Sequence, residues 1–405
     1  MLIIYSLSVK ALGAELFGIL VIIQTYVLIV NSIVKFQSWQ ALIKFGAEAI
    51  EKKQGDHFKC LIKQATLLDA SGSIAGTIIA VSCSYIVGKW LKWDTRMVQM
   101  AMLYGITILF DLSGAPTGIL RLFNKFKLLT LQKVVTSGIK LAAVFVAFLI
   151  SKNLWVYIII WIVTDIIGNI FLFILGLYTL HINKVTEWWK SRLIDFRKFF
   201  IFAFWTNISS TLDIPVKQLD IFIVSAVIGF EGVAIYKILK QISTIIGQIG
   251  DPIYQAAYPE FASMIAKKEN IGATKFAAKL GIIIFSICIP IALVVSFSSP
   301  WWLNILFGKV FAAAWISLSV YLLLQVISTS FITIHPLFVV MGYVQKNFII
   351  LAIANAAYLG LAWILGKNIG LIGVVLAYGV QFSIVILLKI FYISRGIKKD
   401  SLKMS

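Results

Sequence analysis

Long apolar runs recur along the whole chain, and short polar loops separate them. A helix needs about 20 consecutive, mainly apolar residues to cross the hydrocarbon core of a bilayer, and the sequence contains eleven runs of about this length. The predicted spans are 16–39, 64–88, 97–120, 128–150, 154–180, 199–228, 233–262, 276–298, 311–340, 347–365 and 370–394. The pattern therefore predicts an all-α, polytopic transmembrane protein.

The composition and the placement of charge agree with a membrane protein. The 405 residues are 60% hydrophobic, and the mean hydropathy is +0.95. The net charge of +19 comes from lysines and arginines in alternate loops, at residues 52–63, 121–133, 184–198, 267–279 and 395–403. Because cytoplasmic loops carry the excess of Lys and Arg, we expect these loops and the C-terminus to be cytoplasmic. The charge thus indicates topology rather than binding to nucleic acid.

The second half of the chain repeats the first. Three segments return in the same order at an offset of about 215 to 220 residues: Gly13–Leu20 at Gly229–Tyr236, Gln40–Gln54 at Gln255–Asn270, and the stretch around Pro116 at the stretch around Pro336. Six helices separate equivalent positions, so the repeats are parallel and are related by an axis along the membrane normal. The sequence therefore predicts two six-helix bundles around a central cavity.

The repeat divides the chain into two domains and a linker. Met1–Val9 is apolar but too short to span, and we interpret it as the remnant of a truncated first helix. The predicted division is 1–183 for the N-terminal bundle, 184–198 for a cytoplasmic linker and 199–405 for the C-terminal bundle. The complete plan has about 12 helices, of which about 11 are full spans. Transporters rock such bundles around a shared site; an ancient duplication without that mechanism is the alternative.

Ionisable residues lie inside the predicted spans of the second half. A charged side chain costs about 3 kcal/mol at the centre of a membrane helix, so it usually faces a protein interior or a wet cavity. Two sets are each predicted to share one helical face: Asp213, Lys217 and Asp220, and Lys237, Lys240 and Asp251. These charges form either a transport site or buried ion pairs that fix helix packing, and the sequence leaves both open.

The first half carries a second candidate pair. Counted from the loops, Lys140 lies about 18 Å from the cytoplasmic end of its helix, and Asp165 lies about 17 Å from the outer end of the next helix. The two side chains are therefore predicted to meet near the membrane midplane, in a functional or a purely structural pair. Gln24 falls at the repeat position of Lys240 and is a candidate for a polar cavity wall.

No motif for a cofactor or for hydrolysis is present. The sequence has no nucleotide-binding loop and no GxSxG, and its three cysteines are scattered, so we expect no cofactor and no metal site. A membrane-embedded polysaccharide polymerase or ligase would need a large outer loop to hold its acceptor, and the predicted outer loops are short. We therefore predict that the chain is not an enzyme.

Six segments carry a family resemblance: LGAELFGILVIIQTY, FQSWQALIKFG, LDIFIVSAVIGFEGVAIYKILKQ, DPIYQAAYPEFASMIA, NILFGKVFAAAW and NIGLIGVVLAYG. They resemble the Wzx-type polysaccharide flippases, which translocate lipid-linked oligosaccharides, of the MOP (multidrug/oligosaccharidyl-lipid/polysaccharide) superfamily. The resemblance covers nearly the whole chain. It implies alternating access without ATP hydrolysis. The implied cargo is an undecaprenyl-diphosphate-linked repeat unit of O-antigen or capsule, moved to the outer leaflet of the bacterial cytoplasmic (inner) membrane.

The resemblance also implies roles for the charged residues. The candidates for binding the diphosphate or acidic sugars are Lys237, Lys240, Lys217 and Lys140, with Gln24 beside them. The candidates for proton or ion coupling are Asp220, Asp213, Asp165 and Asp251. The implied partners are the lipid-linked oligosaccharide, membrane lipids, a polysaccharide polymerase and a chain-length regulator. A multidrug or cation exporter of the same superfamily is the alternative, but lysines within the spans favour an anionic cargo. A non-transporting scaffold is a further alternative.

Overall fold

The computed structural model describes residues 1–404, with the side chains of residues 1–343 and 345–397. Within this part of the chain every regular element is helical. Nine of the described helices are long and apolar enough to cross a membrane, or ten if the bent pair Phe196–Thr211 and Pro215–Val227 counts as one span. The prediction of an all-α, polytopic transmembrane protein is confirmed. The basic residues Lys398, Lys399 and Lys403 lie outside the described side chains.

The chain forms two compact units, Ile3–Ile214 and the part from Pro215 onward. The helices up to the boundary are α1 (Leu2–Val34), α2 (Ser38–Glu51), α3 (Gly55–Trp90), α4 (Thr95–Gly105), α5 (Gly114–Leu122), α6 (Phe126–Ile150), α7 (Leu154–Ile182) and α8 (Phe196–Thr211). The later helices are α9 (Asp220–Val227), α10 (Phe230–Gly247), α11 (Gly250–Ala266), α12 (Asn270–Phe307), α13 (Lys309–Ala313), α14 (Trp315–Ser330), α15 (Ile334–Val340), α16 (Val344–Ile369) and α17 (Leu371–Met404). The predicted domain boundaries, which rest on the repeat, stay a prediction.

A buried carboxylate joins three helices of the first unit. Asp69 of α3 accepts a hydrogen bond from the Ser38 hydroxyl of α2 and another, 2.6 Å long, from the backbone N–H of Ala115 in α5. A Cβ at Gly114 would lie 2.0 Å from the Ser38 oxygen, so only glycine fits this contact. Apolar side chains, including Leu42, Phe58, Ile62, Phe199 and Ala203, form the core beside it. The junction therefore combines a satisfied buried charge with apolar packing.

Two glycines at equivalent positions of the repeat break the helical path in the same way. Gly13, inside α1, has φ 80° and ψ 169°, and Gly229, just before α10, has φ 96° and ψ −177°. This region of backbone space is accessible almost only to glycine. The sequence predicts an outer turn at both positions, and the two backbone conformations agree with that equivalence.

Two predicted spans of the second half are broken. The span predicted at 233–262 is α10 followed by α11, with an interruption at Gln248–Ile249. The span predicted at 199–228 divides into α8, a π-helical turn at Pro215–Leu219 and α9. A proline cannot donate the backbone hydrogen bond that a continuous α-helix requires, which accounts for the irregular turn that begins at Pro215. The boundary between the compact units falls at this turn.

Candidate functional site

The first unit contains a polar pocket of about 300 Å³. Helices α1, α4, α6 and α7 each contribute polar side chains to it. The polar lining consists of Gln24, Asn31, Tyr104, Thr107, Asp111, Gln132, Thr136, Lys140, Asp165 and Asn169. Isolated polar groups are costly inside a membrane protein, and those that occur usually face a cavity or one another. The concentration of polar groups on four helices makes this pocket the candidate site of the first unit.

Lys140 and Asp165 form the ion pair at this pocket that the sequence predicts. The Lys140 Nζ lies 2.6 Å from the Asp165 Oδ1, and the Tyr104 hydroxyl donates a 2.5 Å hydrogen bond to Oδ2. The Lys140 ammonium also lies 4.3 Å from the centre of the Trp161 ring, within the range of a cation–π contact. The Lys140 side chain is 5% exposed and that of Asp165 is 32% exposed. The lysine is therefore fixed in position, while the carboxylate opens onto the pocket.

A second ion pair of the first unit was not predicted as a site. The Lys35 Nζ lies 2.7 Å from the Asp111 Oδ2, and the Asn31 side-chain amide donates to the same oxygen at 2.7 Å. Lys35 also donates to the Ser113 hydroxyl at 2.6 Å. Asp111 and Asn31 line the polar pocket, so this network extends it toward the end of α1. Lys35 lies near the end of the predicted span 16–39, where a charge is readily assigned to the membrane surface, so the sequence pattern did not mark it as a site residue.

The second unit holds its own cluster around Asp220, whose side chain is fully buried. Its Oδ2 accepts a hydrogen bond from the Lys240 ammonium, a second of 2.7 Å from the Tyr236 hydroxyl and a third of 3.2 Å from the Tyr358 hydroxyl. Lys240 completes its hydrogen bonding with the backbone carbonyl oxygens of Val216 and Lys217, at 2.7 and 3.1 Å. Both carbonyls belong to the π-helical turn. Such turns leave backbone groups free to bond elsewhere and are common at functional sites.

The π-helical turn also corrects the prediction that Asp213, Lys217 and Asp220 share one helical face. Lys217 is exposed and Asp213 is half-buried, whereas Asp220 is fully enclosed. An i, i+4, i+7 pattern aligns only at 3.6 residues per turn, and the wider π-helical turn shifts every residue after Pro215. The prediction fails because the proline changes the helical period.

The remaining predicted residues lie in different surroundings. Lys237, on α10, is half-buried one turn before Lys240, and among the described residues no carboxylate lies within ion-pair distance of it. Asp251 is exposed in the first turn of α11. Gln24 lines the polar pocket with Lys140 and Asp165. The structure thus brings Gln24, Lys140 and Asp165 together in an open cluster of the first unit and Asp220 and Lys240 together in a closed cluster of the second. The remaining four candidates, Asp213, Lys217, Lys237 and Asp251, lie outside both clusters.

Comparisons with known proteins relate the chain to polysaccharide biosynthesis and to an inner membrane protein. The family described as "Polysaccharide biosynthesis protein" matches residues 2–265. Inner membrane protein YghQ of Escherichia coli (strain K12) is 22% identical over 259 residues, which are 63% of this chain and 73% of YghQ.

Solved structures of transporters share the fold. The inward-facing conformation of a multidrug resistance MATE family transporter of the MOP superfamily matches with a TM-score of 0.80 and 15% identity, over 100% of this chain and 94% of that chain. The lipid II flippase MurJ, in an inward closed conformation, matches with a TM-score of 0.69 and 15% identity, over 99% of this chain and 88% of that one. At this identity the likeness shows the fold, whereas the family match covers more than half of the chain. The chain belongs to the polysaccharide biosynthesis protein family and has the fold of the MOP-superfamily transporters.

Proposed function

We propose that the protein flips an undecaprenyl-diphosphate-linked oligosaccharide to the outer leaflet of a bacterial inner membrane, for the synthesis of O-antigen or capsule. The observation that carries the proposal is the polar pocket of the first unit, with the Lys140–Asp165 pair at its wall. A diphosphate and a glycan cannot cross hydrocarbon unaided, because their polar groups would lose hydration without replacement. A pocket with hydrogen-bond donors and acceptors from four helices can replace the hydrogen bonds that water makes to these groups. The family membership supports a role in polysaccharide synthesis.

The lysine ammonium groups and the aspartate carboxylates would have different roles in transport. The half-buried Lys237 ammonium, which no described carboxylate neutralises, is the best candidate for holding the diphosphate in the second unit. Asp165 is the best candidate for coupling, because its carboxylate is partly exposed while its partner lysine is fixed. Protonation or cation binding at Asp165 would release Lys140 toward an anionic cargo. Transport would then be coupled to a proton or sodium gradient, without a nucleotide. The basic loops support a cytoplasmic C-terminus.

The test is complementation of a bacterial strain that lacks its own flippase, with the glycan on the cell surface as the readout. Asp165→Asn and Lys140→Met are each expected to reduce surface glycan at least tenfold, because each removes one half of the pair. The matched control is the exposed ion pair of Glu48 and Lys52, whose charged atoms lie 2.7 Å apart on α2. Glu48→Gln and Lys52→Met should support normal glycan levels. Normal glycan with Asp165→Asn would remove the coupling role, and absence of glycan with the unaltered chain would contradict the flippase proposal.

An exporter of cationic drugs is the alternative, and the fold match to a multidrug resistance MATE family transporter is what favours it. Vesicles that contain the purified protein separate the two functions. A flippase should move a labelled undecaprenyl-diphosphate-linked oligosaccharide and leave ethidium gradients unchanged. An exporter should give the opposite result.

A further inference from the structure

An apolar groove of about 530 Å³ runs along the surface of the second unit, between α12, the α14–α15 connection and α17. Its volume lies within the range of about 300 to 1,000 Å³ that is usual for small-molecule sites. Its walls include Ala278 and Ile282 of α12, Phe331 of the connection, Leu337 of α15 and Ile393 of α17. None of the charged residues of the Asp220 cluster lines it. The groove is therefore a separate feature from the polar sites.

Three of the four hydroxyl groups that line the groove already donate hydrogen bonds within the protein; the fourth belongs to Ser394. Thr274, Ser330 and Thr333 each donate to a backbone carbonyl oxygen, at 2.8, 2.7 and 3.2 Å respectively. Their polar atoms are thus satisfied within the protein, and the groove presents mainly hydrocarbon to an occupant. At its floor α12 and α14 approach so closely that a Cβ at Gly281 would lie 2.6 Å from the Ser330 carbonyl oxygen. The shape and the chemistry both suit an apolar chain rather than a polar ligand.

The equivalent position of the first unit is filled by the protein itself. At the repeat offset of about 215 to 217 residues, Ile62 and Thr66 of α3 correspond to Ala277 and Gly281, and Gly176 of α7 corresponds to Ile393. These first-unit residues line a space of only about 10 Å³, which Trp188 of the linker helps to enclose. The same architecture therefore accommodates an apolar side chain in one unit and remains open in the other.

Basic side chains flank the open groove at one end. Lys275 and Lys279 lie on α12 beside the lining residues, and Arg395 lies next to Ser394 on α17. All three are exposed. This end contains the start of α12 and the late part of α17, which the loop charges predict to be cytoplasmic. A hydrocarbon chain in the groove could therefore continue into an anionic headgroup at these cations.

From these observations we propose that the groove binds the polyprenyl chain of the lipid-linked cargo, with its diphosphate near Lys275, Lys279 and Arg395. The proposal rests on the proposed flippase function and adds to it a binding site for the lipid portion. One unit thus keeps the groove closed with its own linker, and the other holds the chain of the cargo. The glycan is then free to engage the polar residues while the chain stays in contact with the membrane, and Lys237 would hold the diphosphate only after it leaves these cations.

The test uses the purified full chain in detergent micelles, with radiolabelled undecaprenyl diphosphate as the probe. Ala278→Trp places an indole in the groove, as Trp188 does in the first unit, and should raise the Kd of the probe at least tenfold. Val294→Trp is the matched control, because Val294 lies on the same helix, is 68% exposed and does not line the groove. It should change the Kd less than twofold. Ser394→Trp, on the opposite wall, repeats the test should Ala278→Trp fail to fold.

Competition binding distinguishes recognition of the polyprenyl chain from recognition of the anionic headgroup. Inorganic diphosphate and dioleoyl phosphatidylglycerol should each require at least a tenfold higher concentration than unlabelled undecaprenyl diphosphate to displace the probe. Equal Kd values for Ala278→Trp and Val294→Trp would overturn the proposal. Equal competition by phosphatidylglycerol would also overturn it, because the groove would then be an ordinary lipid contact.

Failure of this site is distinguishable from failure of the flippase proposal. Asp165→Asn should bind the probe with the normal Kd while it loses surface glycan. If Ala278→Trp restores glycan fully and Asp165→Asn does not, the groove proposal fails and the flippase proposal stands. If the unaltered chain restores no glycan, the flippase proposal fails, and the Kd comparison still decides whether the groove binds a polyprenyl chain.

Discussion

The Lys140–Asp165 and Lys240–Asp220 ion pairs consist of the same two residue types, but their carboxylates differ in exposure. In the first unit the Asp165 carboxylate is 32% exposed and lines a pocket, whereas in the second unit the Asp220 carboxylate is fully buried. Each carboxylate bonds to a lysine and to a tyrosine hydroxyl. A buried charge with several hydrogen bonds is held firmly, and breaking such an arrangement is costly. The difference suggests that the Asp220 cluster fixes structure and that the Asp165 cluster is available to exchange its partners.

The repeat relates some positions of the two clusters, but it does not relate their carboxylates. At an offset of about 217 residues, Tyr104 of α4 corresponds to Tyr321 of α14, and Lys140 of α6 corresponds to Tyr358 of α16. The lysine of the second cluster, Lys240, corresponds to Gln24. The lysines of the two pairs therefore lie at non-equivalent positions of the repeat. The carboxylates do so as well, because Asp165 corresponds to Phe382 and Asp220 corresponds to Ile4.

Removing the buried carboxylate should produce the largest loss of stability. Asp220→Leu leaves the Lys240 ammonium enclosed without its partner, and such a loss costs about 3–5 kcal/mol in folding free energy. Asp165→Leu should cost about 1–2 kcal/mol, because water in the adjacent pocket can solvate the remaining groups. Unfolding in mixed micelles measures both values.

The double variant Asp220→Leu/Lys240→Met is the control for this prediction. It replaces the whole pair by apolar groups and should recover most of the lost stability, since apolar replacement of a buried ion pair is often neutral. Equal losses for Asp220→Leu and Asp165→Leu would contradict the distinction between a closed and an open cluster.

The sequence predicts the open pair better than the closed one for a physical reason. Lys140 and Asp165 lie in regular helices, so counting residues from the loops places them at matching depth, and the 2.6 Å contact follows. The closed pair lies beside the π-helical turn at Pro215–Leu219. Counted from the turn at Gly229, Asp220 and Lys237 lie at nearly the same depth, about 14 and 12 Å, which favours Lys237 as the partner. The structure pairs Asp220 with Lys240 instead, because depth along a helix does not determine which of its side chains turns toward the neighbouring helix.

Other features depend on packing that a linear pattern does not contain. The predicted all-α class and the alternation of spans and loops follow from hydropathy, because each helix must present an apolar surface to lipid. The Lys35–Asp111 pair joins residues 76 positions apart, and the apolar groove exists only where three separate elements leave a gap. Residue spacing along one helix contains no information about such gaps.

Substitutions at the helix breaks, Gly13 and Gly229, test the equivalence of the two repeats. The expected loss of folding free energy is smaller than that for Asp220→Leu. Gly13→Ala and Gly229→Ala should each cost about 1–3 kcal/mol in folding free energy, because both residues adopt backbone angles that are essentially restricted to glycine. No atom lies within 4 Å of an added Cβ at either position, so the loss reflects backbone strain alone. The control is Gly138→Ala within α6, which also meets no atom within 4 Å and should be neutral or stabilising. Losses that differ by more than about 2 kcal/mol would contradict the equivalence of the two breaks.

The smallest expected effect is the loss of the Tyr104 hydroxyl, compared with the loss of the Tyr236 hydroxyl at the other carboxylate. Tyr236→Phe removes a 2.7 Å hydrogen bond to the enclosed Asp220 and should cost about 1.5–3 kcal/mol, the usual range for a bond to a charged group. Tyr104→Phe removes a 2.5 Å bond to Asp165, but water from the pocket can take the place of the hydroxyl, so the loss should stay below about 1 kcal/mol. Unfolding of both variants in the same micelles gives the difference directly. A larger loss for Tyr104→Phe would mean that the Asp165 carboxylate depends on its protein donors and is not free to exchange them, and the proposed coupling role would lose its physical basis.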